Sequence, residues 1–214
     1  MSPEDVAQFL HSNPDFFGER PDLLAALLVP HPHGGRAIPL VERQLVSLRE
    51  KLKATEGRLA ELVRFADEND AISEKVHRLS VAIGGARDFP ALAQSLYFQL
   101  REDFAVPHVA LRIWGKPLPA NAPEGAAVGD APRSAGEALG GPQCGEVAGS
   151  PFLPWFGDLA ASLKSMAVLP LGVTRPFGVL ALASEDPQRF HAGMGTLFLR
   201  RIGELAAAGI AARL

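Results

Sequence analysis

From Leu40 to Gly84 the chain contains no proline, and apolar or small residues recur at Val41, Leu45, Leu48, Leu52, Thr55, Leu59, Leu62, Ala66 and Asn69. The steps alternate four and three, which is the heptad spacing of a coiled-coil seam and narrower than the stripe of a lone amphipathic helix. With Leu45, Leu52 and Leu59 at a, Lys51 falls at g and Glu56 at the following e. Across a parallel dimer these are complementary charges. The seam resumes as Asn69, Ile72, Val76, Leu79 and Ile83 after two successive steps of three, from Ala66 to Asn69 to Ile72. Such a stammer overwinds a supercoil locally. The expected dimer interface therefore comprises Leu45, Leu48, Leu52, Leu59, Leu62, Asn69 and Val76, with the polar Asn69 helping to set register. Eight acids and eight bases balance on the remaining faces. A long helix folded back on its own globular domain has the same periodicity and stands as the alternative.

Composition narrows the function classes. The chain has 214 residues, of which 47% are hydrophobic and 21% charged, values ordinary for a soluble globular protein. A formal net charge of −3 offers no general attraction for phosphates, so no direct nucleic-acid binding is expected. The single Cys144 cannot form an intramolecular disulfide or a cysteine-built zinc site, which fits a reducing, cytoplasmic compartment. Glu4, Asp5, Asp15, Glu19 and Asp22 interrupt the N-terminal stretch, and no later segment reaches the roughly 18 apolar residues of a membrane span. Neither a signal peptide nor a membrane span is expected.

Three regions follow along the chain. Residues 1–36 form a short helical cap: Ser2-Pro3-Glu4-Asp5 starts a helix, Asn13-Pro14 and Arg20-Pro21 break it, and Leu23 to Leu28 begins a second. Phe16, Phe17, Leu24 and Leu28 need cover. A loop from Val29 to Pro39 leads to the long helix of residues 37–84. Residues 85–214 have an α/β pattern. Asp88 and Pro90 open a helix with Leu92, Leu96, Phe98, Leu100 and Phe104 on its apolar positions, and His108 to Trp114 alternates as a strand. Residues 115–150 hold eight glycines and five prolines and are expected to be a long connection, either a binding loop or disordered. Met166–Leu171 and Phe177–Ser184 are nearly wholly apolar strands that require cover on both faces. A helix from Gly193 closes the chain.

The succession Ser165-Met166-Ala167-Val168-Leu169-Pro170-Leu171, then Phe177 to Ser184, then Arg189-Phe190 before the last helix, resembles the C-terminal half of a GAF domain. Asn13-Pro14-Asp15-Phe16-Phe17, Pro21-Asp22-Leu23-Leu24, Pro30-His31, Glu42-Arg43-Gln44-Leu45 and Leu48-Arg49 are similar to the bacterial domain-of-unknown-function 484 family, as are Cys144-Gly145 and Met194 to Leu199. The resemblance implies an α+β, GAF-like fold, with an antiparallel central sheet flanked by helices, preceded by a helical, coiled-coil-forming N-terminal region. It implies no particular activity.

Cys144 invites a role as nucleophile, redox sensor or chromophore anchor, but no base or cation adjoins it in sequence to lower its pKa. Bilin-binding GAF domains place His directly after the attaching Cys, where this chain has Gly145, and GAF-type methionine sulfoxide reductases use further cysteines. His31 and His33, with His11 earlier in the chain, could suggest a metal site, but alternating His on an extended loop without a nearby Cys or acid is a poor donor set. Neither a metal nor a covalent chromophore is expected. No phosphate-binding, dinucleotide or hydrolase motif occurs. For a small-molecule ligand, Arg112 and Trp114 share a strand face, Trp155 and Phe156 lie in the covering segment, and Ser165 opens a central strand; with Cys144 these are the ligand-binding candidates. The expected function is a non-enzymatic, cytoplasmic GAF-like sensor or regulatory module, homodimeric through its long helix, with a small molecule or another protein as partner. The alternatives are a structural adaptor without ligand and a redox sensor or enzyme built on Cys144.

Overall fold

The computed structural model describes residues 2–29, 38–172 and 175–214. Two compact units divide the chain at Asp67 and Glu68. The proposed loop around His31 and His33 lies outside the described residues, as do the side chains of Leu24 and Leu28.

In the first unit, α1 (Pro3–Ser12) begins with the reciprocal cap its sequence implies. The Ser2 hydroxyl accepts from the Asp5 amide at 3.1 Å, and the Asp5 carboxylate accepts from the Ser2 amide at 2.7 Å. Asn13 ends the helix by donating its side-chain amide to the Phe9 carbonyl at 2.8 Å. Helices α2 (Phe16–Glu19) and α3 (Pro21–Ala26) follow, then an antiparallel pair of short strands, β1 (Leu28–Val29) and β2 (Ile38–Pro39). Phe16 meets Phe9 edge-on at 5.4 Å and Phe17 at 5.3 Å, so these rings cover one another and Phe16 and Phe17 are half-buried.

Helix α4 (Leu40–Gly85) runs unbroken for 46 residues. On its part within the first unit, Leu45, Leu48, Leu52, Leu59 and Leu62 are 49–64% exposed. On its part within the second, Val76, Leu79 and Ile83 are buried in that unit's core. Val76 therefore does not belong to an exposed dimer seam, which corrects the expectation from spacing. Asn69, also in the second unit, is exposed. The alternative of a helix packed on its own domain holds for the stretch beyond the stammer.

The second unit continues with α5 (Phe89–Glu102), whose Asp88 cap accepts from the Ala91 amide at 2.9 Å. Then come β3 (His108–Ile113), α6 (Asp130–Glu137), β4 (Gln143–Glu146), β5 (Ser165–Leu171), β6 (Gly178–Ser184) and α7 (Leu197–Ala211). The strands form one antiparallel sheet in the order β3-β6-β5-β4. Segment 115–150 is consequently more than a connection. It carries a 3₁₀ turn at Pro123–Gly125, α6 and the edge strand β4. Its Gly and Pro residues punctuate elements too short to show apolar periodicity.

Alternation along the strands separates two cores. Leu111, Ile113, Ala167, Leu169, Leu171, Leu180 and Leu182 join Leu79 and Ile83 of α4, Leu92 and Leu96 of α5, and Ile202 and Ile210 of α7. Ala110, Trp114, Met166, Val168, Val179, Ala181 and Ala183 form the other core with Val147, Phe152 and Leu163. Close approach depends on small residues. A β-carbon at Gly209 would collide with Ile83 and Leu92, and one at Gly178 would lie 2.6 Å from the Arg112 carbonyl oxygen.

Arg213 locks the end of α4. Its guanidinium donates to the carbonyls of Ile83 (2.8 Å), Gly84 (3.3 Å) and Ala86 (2.7 Å), and also to Gly209 (2.9 Å). One side chain thus satisfies C-terminal carbonyls that α4 leaves without intrahelical partners.

Candidate functional site

The second sheet face gathers most of the sequence-derived candidates. Residue parity puts Trp114 on this face, and α6 presses down on it: a β-carbon at Gly136 would lie 2.8 Å from both the Trp114 ring and Val179. The segment Leu153–Ala161, kinked where Gly157 takes φ 56°, adds Trp155 and Phe156 to the same cluster. Trp155 meets Phe152 edge-on at 5.1 Å. Arg112 is partly buried, with its guanidinium carbon 5.8 Å from the Trp155 ring centre and one nitrogen donating to the Leu111 carbonyl at 2.9 Å. The face is thus filled by aromatic and aliphatic side chains. One polar group within it lacks a hydrogen-bond partner among the described residues, the buried Trp114 indole nitrogen.

Ser165 and Cys144 stand apart from this group. Ser165 shares the parity of Ala167 and Leu169, and its hydroxyl donates to the Asp186 carbonyl at 2.6 Å while accepting from the Phe190 amide at 3.4 Å. It ties the segment after β6 to β5. Cys144 pairs with Ala167 across β4 and β5 and packs on the helix-side core. Burial pushes its thiol pKa above the ordinary value, opposite to the shift that activates a nucleophile.

A polar cluster that sequence patterns do not reveal lies at the β3 edge. Glu124, in the 3₁₀ turn, is only 3% exposed. Tyr97, on α5, has its phenol pKa raised, first by burial and then by the nearby Glu124 carboxylate, while Arg112 opposes the shift. Tyr97 is the chain's one tyrosine, the sole signal available from sequence. Glu124 sits among Pro and Gly residues, a setting that ordinarily reads as solvent-exposed.

Among the described residues there is no group of three or more His, Cys, Asp or Glu able to hold a metal ion, and no helix long and apolar enough to cross a membrane.

The sequence description "Protein of unknown function, DUF484" matches residues 1–212. The chain belongs to the DUF484 family. No curated protein matches it. Among solved structures, this DUF484 chain is similar to the A. aeolicus nlh2 GAF domain in an inactive state, at 15% identity and TM-score 0.52, over 68% of this chain and 99% of that one. That likeness, with the antiparallel sheet and flanking helices, shows the GAF fold expected from sequence. A free methionine-R-sulfoxide reductase from Neisseria meningitidis, in complex with its substrate, is similar at 19% identity and TM-score 0.47, over 66% of this chain and 89% of that one.

Proposed function

We propose that this DUF484 protein is a non-enzymatic, cytoplasmic regulatory module that forms a parallel homodimer through the Leu45–Leu62 stretch of α4. The observation that carries the reading is the row of Leu45, Leu48, Leu52, Leu59 and Leu62, all exposed at heptad positions. Fully burying a leucine contributes about 1.5–3 kcal/mol. Two such rows meeting as knobs in holes supply an association energy that an isolated exposed seam forgoes. Lys51 at g and Glu56 at the following e favour the parallel arrangement. The non-enzymatic part rests on a lone, pKa-raised thiol and on hydroxyl and aromatic candidates already engaged in packing or backbone hydrogen bonds.

Disulfide trapping tests the arrangement. In a Cys144→Ser background, Leu52→Cys is expected to cross-link to its own copy under mild oxidation, because equivalent seam positions face each other only in a parallel, in-register pair. Lys53→Cys, off the seam, is expected to cross-link far more slowly. Equal rates at the two positions contradict the proposal.

A second reading, small-molecule sensing at the aromatic face, is favoured by the Trp114 indole nitrogen. A buried donor without a partner costs about 1–3 kcal/mol, which a ligand acceptor would recover. Native mass spectrometry of the purified chain tests this: a retained small molecule lost on Trp114→Phe supports sensing, and an unliganded mass supports a scaffold role.

A further inference from the structure

On the helix side of the sheet, within the second unit, a cleft of about 460 Å³ opens between the start of α7 and residues Asn69, Ile72 and Lys75 of α4. Its size lies within the range of about 300–1,000 Å³ usual for small-molecule pockets. Leu100, Val106, Leu182, Phe190 and Ile202 line it and are all buried.

The charged groups on this apolar lining have one sign. Lys75 and Arg189 are the ionisable residues of the cleft, and neither Asp nor Glu contributes to it. Lys75 is partly buried and has no hydrogen bond or ion pair among the described residues. Arg189 donates from one terminal nitrogen to the Phe104 carbonyl at 2.6 Å, while its Nε is buried without a hydrogen-bond partner among the described residues. A guanidinium nitrogen buried beside hydrocarbon without an acceptor is unfavourable unless an anion accompanies it.

We propose that this cleft binds a soluble amphipathic anion, a single aliphatic chain ending in a carboxylate. The chain lies on the Leu100, Leu182 and Ile202 lining, and the carboxylate lies between Lys75 and Arg189. This site is separate from the Trp114 face, on the opposite side of the sheet, and does not depend on dimerisation. The carboxylate supplies the acceptor that Arg189 Nε lacks and the counter-charge that Lys75 lacks. An aliphatic alcohol of the same length supplies only the apolar contact.

Calorimetric titration of the full chain with decanoate, decanol and decyltrimethylammonium tests the assignment. Decanoate is expected to bind saturably, one per chain, and roughly tenfold or more tighter than the other two, as a charge-assisted hydrogen bond implies. Lys75→Met is expected to narrow that preference several-fold, with Arg189 still offering its Nε to the carboxylate, while leaving decanol binding unchanged. Met194→Trp, which fills the cleft, is expected to remove binding of all three. Circular dichroism establishes that each variant is folded, and Lys75→Met carries the test alone if Met194→Trp is not. The assignment is overturned if the folded wild-type chain shows no saturable decanoate binding, if the three probes bind equally, or if Lys75→Met leaves the preference intact. Adsorption to phosphatidylglycerol vesicles without decanoate binding also overturns it, since it assigns the cations to a lipid surface.

Discussion

Two stretches of one helix carry the same apolar spacing and meet different fates. Between Leu45 and Leu62 the heptad leucines are exposed, whereas Val76, Leu79 and Ile83 are sealed into the core of the second unit. Between them lie the two successive steps of three that end at Ile72. Periodicity specifies that a helix needs a partner along one seam, but does not say whether that partner is a second chain or the domain that follows. A stammer changes the phase of the seam and so marks where one kind of partner can give way to another.

The contrast breaks most visibly at Leu79. Leu79→Ala is expected to destabilise the second unit by about 2–5 kcal/mol, as for large-to-small changes in a closed core, while Leu48→Ala leaves that unit's unfolding midpoint within experimental error. Denaturant titration followed by tryptophan fluorescence reads this directly, because Trp114 and Trp155 both lie in that unit. Equal losses from the two substitutions would erase the distinction.

A smaller effect is expected at Arg213, whose guanidinium holds the carbonyls that end the buried stretch. Arg213→Ala is expected to cost about 1–3 kcal/mol, and hydrogen exchange should accelerate at the last turn of α4 but not near Leu52. Arg213→Lys, which cannot reproduce the fork of donors, is expected to recover less than half of the loss.

The smallest effect belongs to Tyr97. Its folded-state pKa is raised, so the folded chain keeps the phenol proton at pH values where the unfolded chain releases it. The stability this contributes is fully present below the unfolded pKa of about 10 and declines as pH rises above it. Tyr97→Phe should flatten that alkaline decline without altering the helix contrast. An unchanged pH profile would mean that Tyr97 does not titrate differently in the folded and unfolded chains.

Much of this architecture is legible in local chemistry. The Ser2 and Asp88 caps, the proline-free helix and strands β3, β5 and β6 follow from residue types whose preferences agree with their neighbours. Strand β4 and helix α6 are hidden in the sequence because Gln143-Cys144-Gly145-Glu146 has no β-branched residue and α6 buries only Gly136. For the candidate site, Arg112, Trp114, Trp155 and Phe156 converge as strand parity and the covering segment imply. Ser165 has the opposite parity to Arg112 across the register, a fact available only once β5 and β6 are aligned. The burial of Glu124, the reach of Arg213 and the unpaired Arg189 Nε depend on residues distant in sequence, which no local pattern encodes.

In the proposed dimer the exposed stretch of α4 is completed by a second copy. Sedimentation equilibrium of the intact chain at tens of micromolar tests it most directly, comparing wild type with the Leu52→Asp, Leu59→Asp double variant. The expected result is a wild-type dimer and a double variant that is monomeric yet retains the wild-type tryptophan spectrum. A monomeric wild type, or a double variant with undiminished dimer affinity, would contradict it.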